Sequence, residues 1–158
     1  MIDLPPGITI EMPPVEVGCP RTIKSLLGRI RDLYEAIYDR YGLDGLDLVN
    51  TISREHGIKI AERARGEGPP WTIQQIGDLI VRIYSNINAE GAVEEYGSNR
   101  ITIRVDQCPY PLRTCALCLA HTSMEQALVE SLNPEYEFVI EKSIPANDPY
   151  CLHVIKPR

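Results

Sequence analysis

Four of the chain's five cysteines and two of its three histidines fall between Cys108 and His153. Cys108, Cys115 and Cys118 read C-x6-C-x2-C, and His121 follows three residues on. Cys151 and His153 stand two apart near the C-terminus. Thiolates and imidazoles gathered this way are the soft ligands of zinc and iron–sulfur centres. The expected metal set is therefore Cys108, Cys115, Cys118, His121, Cys151 and His153. The four thiolates of Cys108, Cys115, Cys118 and Cys151 would suit a [4Fe–4S] cluster. Three cysteines with His121 or His153 would suit zinc, and zinc with an open position could activate water. The spacing is neither the paired C-x2-C of a zinc ribbon nor a ferredoxin run.

The same residues allow a reading without metal. Cys108 would be a nucleophile, His121 its base, and Glu125, one turn past His121, the carboxylate that orients the ring. In a third reading the thiols are small buried hydrophobes and the chain is a regulatory ligand-binding domain. Arg104, with Arg100 on the polar side of a strand, is a candidate for a substrate carboxylate. Tyr110, beside Cys108 and between Pro109 and Pro111, is a candidate pocket wall.

These residues need a scaffold that brings them together. Residues 1–21 carry Pro5, Pro6, Pro13, Pro14 and Pro20 and read as a non-helical arm, with an edge strand near residues 8–11 and Cys19 as a buried small residue. Residues 22–158 are expected to form one domain. Ile23, Leu26, Leu27, Ile30, Leu33, Ile37 and Tyr41 recur at helical spacing, and Gly42 stops the run. A second helix is expected over 46–64, with Gly57 as a weak point and His56 on a solvated face. Thr72 and Gln75 form a capping box for a third helix reaching about Asn86.

The period then falls to two. Strands are expected at 92–96 and 100–106 around Gly97-Ser98-Asn99, where Ile101, Ile103 and Val105 alternate with polar residues. The alternation would send Cys108 to the polar side with Arg104 and Asp106. A helix over 112–132, stopped by Asn133-Pro134, precedes strands at 136–142 and 150–156, where Cys151 and His153 share one face. The expected fold class is α+β: three N-terminal helices, then an antiparallel four-stranded sheet with one inserted helix (ββαββ).

A chain of 158 residues suffices for one core, and its net charge of -6 argues against non-specific nucleic-acid binding. No signal peptide and no membrane span are apparent, and the odd cysteine count favours reduced thiols and a cytoplasmic setting. The expected partner is a small molecule; the proline-rich arm and an unpaired sheet edge would allow a homodimer.

Residues 87–156 resemble the L-2-amino-thiazoline-4-carboxylic acid hydrolase-like family and the related 4-vinyl-reductase-type small-molecule-binding domains. The likeness lies in Cys108-Pro109-Tyr110 at a strand end, Cys118 with His121 on a helix, Asn133-Pro134, and Tyr150-Cys151 on the last strand. His121 stands where that family commonly has an acidic residue, and Cys115 is additional; both departures favour a metal site. The resemblance implies hydrolysis of a cyclic C–N bond if the chain is an enzyme. It also implies the fold of haem nitric-oxide-binding domains and TRAPP subunits, in which helices and a twisted sheet enclose a ligand pocket.

Overall fold

The computed structural model describes the backbone of residues 15–158 and the side chains of residues 20–158. Helix α1 (Val15–Arg65) is two helices joined across a kink at Gly42, where φ is 58° and ψ is -126°. That backbone favours glycine, so the break falls where the apolar periodicity predicts it. The arm needs a correction. Helix α1 already begins at Val15 and carries Pro20 within its first two turns, where a missing N–H costs one bond near the helix end. The strand expected at 8–11 and the side chain of Cys19 lie outside the described residues.

Helix α2 (Ile73–Asn86) starts at the expected capping box. The Gln75 N–H donates to the Thr72 hydroxyl at 3.3 Å, and the Thr72 N–H donates to Gln75 Oε1 at 2.9 Å. Strands β1 (Glu90–Tyr96) and β2 (Ile101–Gln107) form a hairpin in which the Gly97 N–H donates to the Arg100 carbonyl at 2.8 Å. Helix α3 (Cys115–Leu132) is capped by the Thr114 hydroxyl and ends at Asn133. The Asn133 amide donates to the Trp71 carbonyl at 2.9 Å, which fixes the end of α3 against the start of α2. Strand β3 (Tyr136–Lys142), a 3-10 turn (Ile144–Ala146) and β4 (Cys151–Pro157) complete the chain.

The sheet is antiparallel in the order β1-β2-β4-β3. β4 is central, with Cys151 opposite Val105, His153 opposite Ile103 and Ile155 opposite Ile101. Those residues point to one face, which Ile76 and Ile80 of α2 and Leu128 and Leu132 of α3 cover to make the core. The other face is laced by ion pairs. Arg100 meets Glu95 at 3.3 Å and Glu141 at 2.8 Å, and Arg104 meets Glu94 at 3.1 Å and Asp106 at 2.9 Å.

α1 packs along α3. Arg54 pairs with Glu130 at 3.1 Å, and Arg65 donates to the Ser131 carbonyl at 3.1 Å. A Cβ added at Gly57 would run into the Met124 carbonyl, so the two helices meet backbone to backbone there. Gly57 is thus a packing contact inside an unbroken helix. The result is a helical N-terminal region followed by a four-stranded antiparallel sheet with an inserted helix, an α+β topology. Among the described residues no helix is long and apolar enough to cross a membrane.

Candidate functional site

α3, β4 and the turn after β2 converge on one cavity beneath α2. It encloses about 40 Å³ open to the centre of a water molecule, roughly three times the ~10–15 Å³ that admits one water. Three thiols, two imidazoles, two phenols and one carboxyl reach it: Cys108, Cys118, Cys151, His121, His153, Tyr84, Tyr110 and Glu125. Val105, Ile87 and Leu112 supply apolar wall. A surface groove shares Ile87, Cys108 and Pro109 with the cavity, and its far side is formed by Pro20, Lys24 and Leu27 of α1.

Local structure explains the convergence. Alternation on β4 turns Cys151 and His153 inward. On α3, Cys118, His121, Thr122 and Glu125 occupy one face at spacings of three and four. Cys108 departs from the expectation. β2 ends at Gln107, the chain turns through Pro109, and the thiol comes round to the side of Val105.

Most of these groups are partnered within the protein. The Cys108 thiol donates to the Tyr110 carbonyl at 3.0 Å. Cys151 Sγ accepts the Ile144 N–H at 3.3 Å, which ties the 3-10 turn to β4. His153 Nδ1 and the Tyr84 hydroxyl are 2.6 Å apart, and the Phe138 ring lies edge-on at 5.4 Å. His153 is thus a satisfied core histidine. Replacing Tyr84 by phenylalanine is expected to strand Nδ1 and to destabilise the fold by about 1–3 kcal/mol. Urea unfolding measures this, and an unchanged midpoint would show that the bond contributes nothing.

Two groups are not satisfied. Glu125 is 5 % exposed, and its Oε2 has no hydrogen-bond partner in the protein. His121 Nδ1 is likewise buried and unpartnered, although the ring packs 4.3 Å from Tyr110 and 5.8 Å from Tyr34 of α1. Glu125 therefore does not orient the His121 ring as a paired carboxylate, contrary to the sequence expectation.

Burial sets the protonation states. It pushes the Cys108 thiol up to about 11 and the Cys118 thiol up to about 12, and it raises Cys151 as well. It raises Tyr110 to about 12 and Tyr84 well above the usual phenol value. It lowers both His121 and His153 to about 4. It lifts Glu125 to about 8, with the residue's own backbone N–H pulling the other way. At neutral pH the cavity therefore holds protonated thiols, neutral imidazoles and a mostly protonated acid.

The metal reading fails on geometry. Among the described residues no three His, Cys, Asp or Glu side chains come together in a metal-ligating arrangement. Cys115 lies against a different surface hollow with Leu119, Ile140 and Asp148. Cys108, Cys151 and His153 each spend their polar atoms on separate protein partners. Ligation also needs thiolates, which this burial disfavours. Neither zinc nor a [4Fe–4S] cluster fits Cys108, Cys115, Cys118, His121, Cys151 and His153, and the four described cysteines form no metal-binding cluster.

Arg104 is not among the cavity walls, and its guanidinium is held by Glu94 and Asp106 on the opposite sheet face. Tyr110 is a wall, as the sequence suggests. Sequence reasoning missed Tyr84, Thr122 and Leu112. Tyr84 carried a usable signal, because it continues the Ile76–Ile80 stripe of α2 and adds one polar atom to it. No protein-family model matches the chain, and no curated protein matches it.

Proposed function

We propose that this chain is a small-molecule-binding domain whose ligand occupies the cavity between α3, β4 and the Cys108–Leu112 turn. The observation that carries this reading is the pair of unpartnered buried atoms on its wall, Glu125 Oε2 and His121 Nδ1. A buried polar atom without a partner costs about 1–3 kcal/mol, and a ligand that supplies the partner recovers that cost on binding. Apolar wall with a few convergent polar groups is the usual make-up of a ligand site.

The resemblance of residues 87–156 to the amino-thiazoline hydrolase-like and 4-vinyl-reductase-type domains belongs to this proposal. So does the finer fold likeness to haem nitric-oxide-binding domains and TRAPP subunits. Hydrolysis with Cys108 as nucleophile and His121 as base is the less supported branch, since the buried thiol is held protonated.

A fragment library containing neutral and charged molecules, screened by ligand-observed NMR, tests the reading. Ala89 lies on the cavity wall, and Ala89→Leu would fill the space. Binding to the wild type that disappears in folded Ala89→Leu is the expected result. No hit on the wild type, or hits that survive the filled cavity, would overturn it.

A homodimer is supported by exposed apolar side chains along α1, where Leu26, Leu33 and Tyr41 are each more than half exposed. Such surface commonly marks an interaction site. Sedimentation at micromolar concentration should give twice the chain mass, and a monomer mass would remove the proposal.

A further inference from the structure

Glu125 is an acid buried without a basic counterpart. No lysine or arginine lines its cavity among the described residues. α3 contributes Cys118, His121 and Thr122 around it; α2 contributes Tyr84; the turn after β2 contributes Cys108 and Tyr110; β4 contributes Cys151 and His153. From α1, the Tyr34 ring lies 5.8 Å from that of His121. Every one of these groups is neutral when the thiols and phenols hold their protons and the imidazoles do not. An ionised Glu125 would thus be an uncompensated charge in a low-dielectric site, which is strongly unfavourable unless a partner charge arrives with the ligand.

The charge balance discriminates between ligand classes. An anion would enter a cavity with no positive charge to meet it and one acid already present. A wholly apolar molecule would leave Oε2 of Glu125 and Nδ1 of His121 without partners. A cation answers Oε2 directly, and its remaining N–H groups can donate to a ring nitrogen of neutral His121. The Tyr110 ring beside His121 adds an aromatic face of the kind that attracts cations. The chain's net charge of -6 favours the approach of cations over anions.

Resting on the small-molecule reading above, we propose that the cavity selects a small organic cation. Its ammonium, amidinium or guanidinium end pairs with Glu125, and its apolar body lies against Val105, Ile87 and Leu112. Pairing requires the carboxylate, so binding expels the Glu125 proton to solvent. The histidines, thiols and phenols keep their protonation states through the exchange.

Isothermal titration calorimetry with acetamidinium, acetamide and acetate at pH 6, 7 and 8 tests this. The three probes share one methyl body, small enough for the cavity, and differ in charge. Acetamidinium should bind tightest, with affinity rising up to about tenfold per pH unit below pH 8 and up to one proton released per complex. Acetamide should bind more weakly with little pH dependence, and acetate should not bind. Glu125→Gln should erase the preference for acetamidinium over acetamide. Should that variant fail to fold, the proton count in the wild type, from buffers of different ionisation enthalpy, decides alone. Equal or tighter binding of acetamide or acetate, or acetamidinium affinity that is flat with pH, overturns the cation and leaves the small-molecule reading standing. Failure of all three probes also overturns the cation, whereas the small-molecule reading falls only if the neutral fragments fail as well.

Discussion

Glu125→Gln is expected to make the protein more stable at pH 8 by an amount on the order of a few kcal/mol, and to leave its stability near pH 4.5 almost unchanged. The Glu125 carboxyl is lifted by burial from an ordinary value of 4.5 to about 8. The folded chain therefore holds a proton that the unfolded chain releases across that range. Stability from this group is full below about pH 4.5 and is lost as pH rises toward 8. Glutamine stays neutral and escapes the loss. His121 and His153 act in the opposite sense, since burial lowers both from 6.5 to about 4. The unfolded chain binds their protons first, so their contribution grows as pH rises from about 4 to 6.5. Between pH 4.5 and 6.5 the two histidines outweigh the one acid, and above 6.5 only the acid still acts. Wild-type stability from these three groups should peak near pH 6.5 and decline toward pH 8. Unfolding in urea at pH 5, 6.5 and 8 reads the effect, and parallel curves for the two proteins would show that Glu125 is not buried as described.

Alkylation of the folded chain is the second large effect. Iodoacetamide reacts with the thiolate, so its rate follows the ionised fraction as well as access. Burial lifts Cys108 from 9.0 to about 11 and Cys118 from 9.0 to about 12. At pH 7.5 their thiolate fractions fall about 100-fold and about 1,000-fold below that of a thiol at 9.0. Site-resolved mass spectrometry should find both residues protected in the native protein by at least those factors, and the protection lost in urea. A Cys108 that alkylates in the native protein as fast as in the unfolded chain would reverse the argument and restore the nucleophile reading.

Local signals in the chain placed nearly every element. The Thr72–Gln75 capping box, the glycine after Tyr41, the change from helical to alternating period near Ala92 and the Asn133-Pro134 stop all act within a few residues. That Cys151 and His153 share one face followed from alternation on a strand, which is also local, whereas packing decided that this face is the inner one. The arm is the instructive failure. Pro5, Pro6, Pro13, Pro14 and Pro20 suggested a non-helical arm over residues 1–21, yet a proline close to a helix start forfeits only one bond, and α1 tolerates Pro20.

The amino-acid order was enough to show that soft, ionisable side chains gather in the C-terminal third, on elements able to meet. Their company and their charge state came from packing. Cys115 and Cys118 are three apart on α3, a step that falls short of a full turn, so one faces a surface hollow and the other the cavity. Cys108 reached the cavity through a turn that strand alternation does not describe. Cys108, Cys118 and Cys151, which could serve a metal only as thiolates, are instead kept protonated, because burial among α2, α3 and the sheet disfavours the charged form. Desolvation is a property of the assembled neighbours, and no spacing of cysteines and histidines along a chain records it.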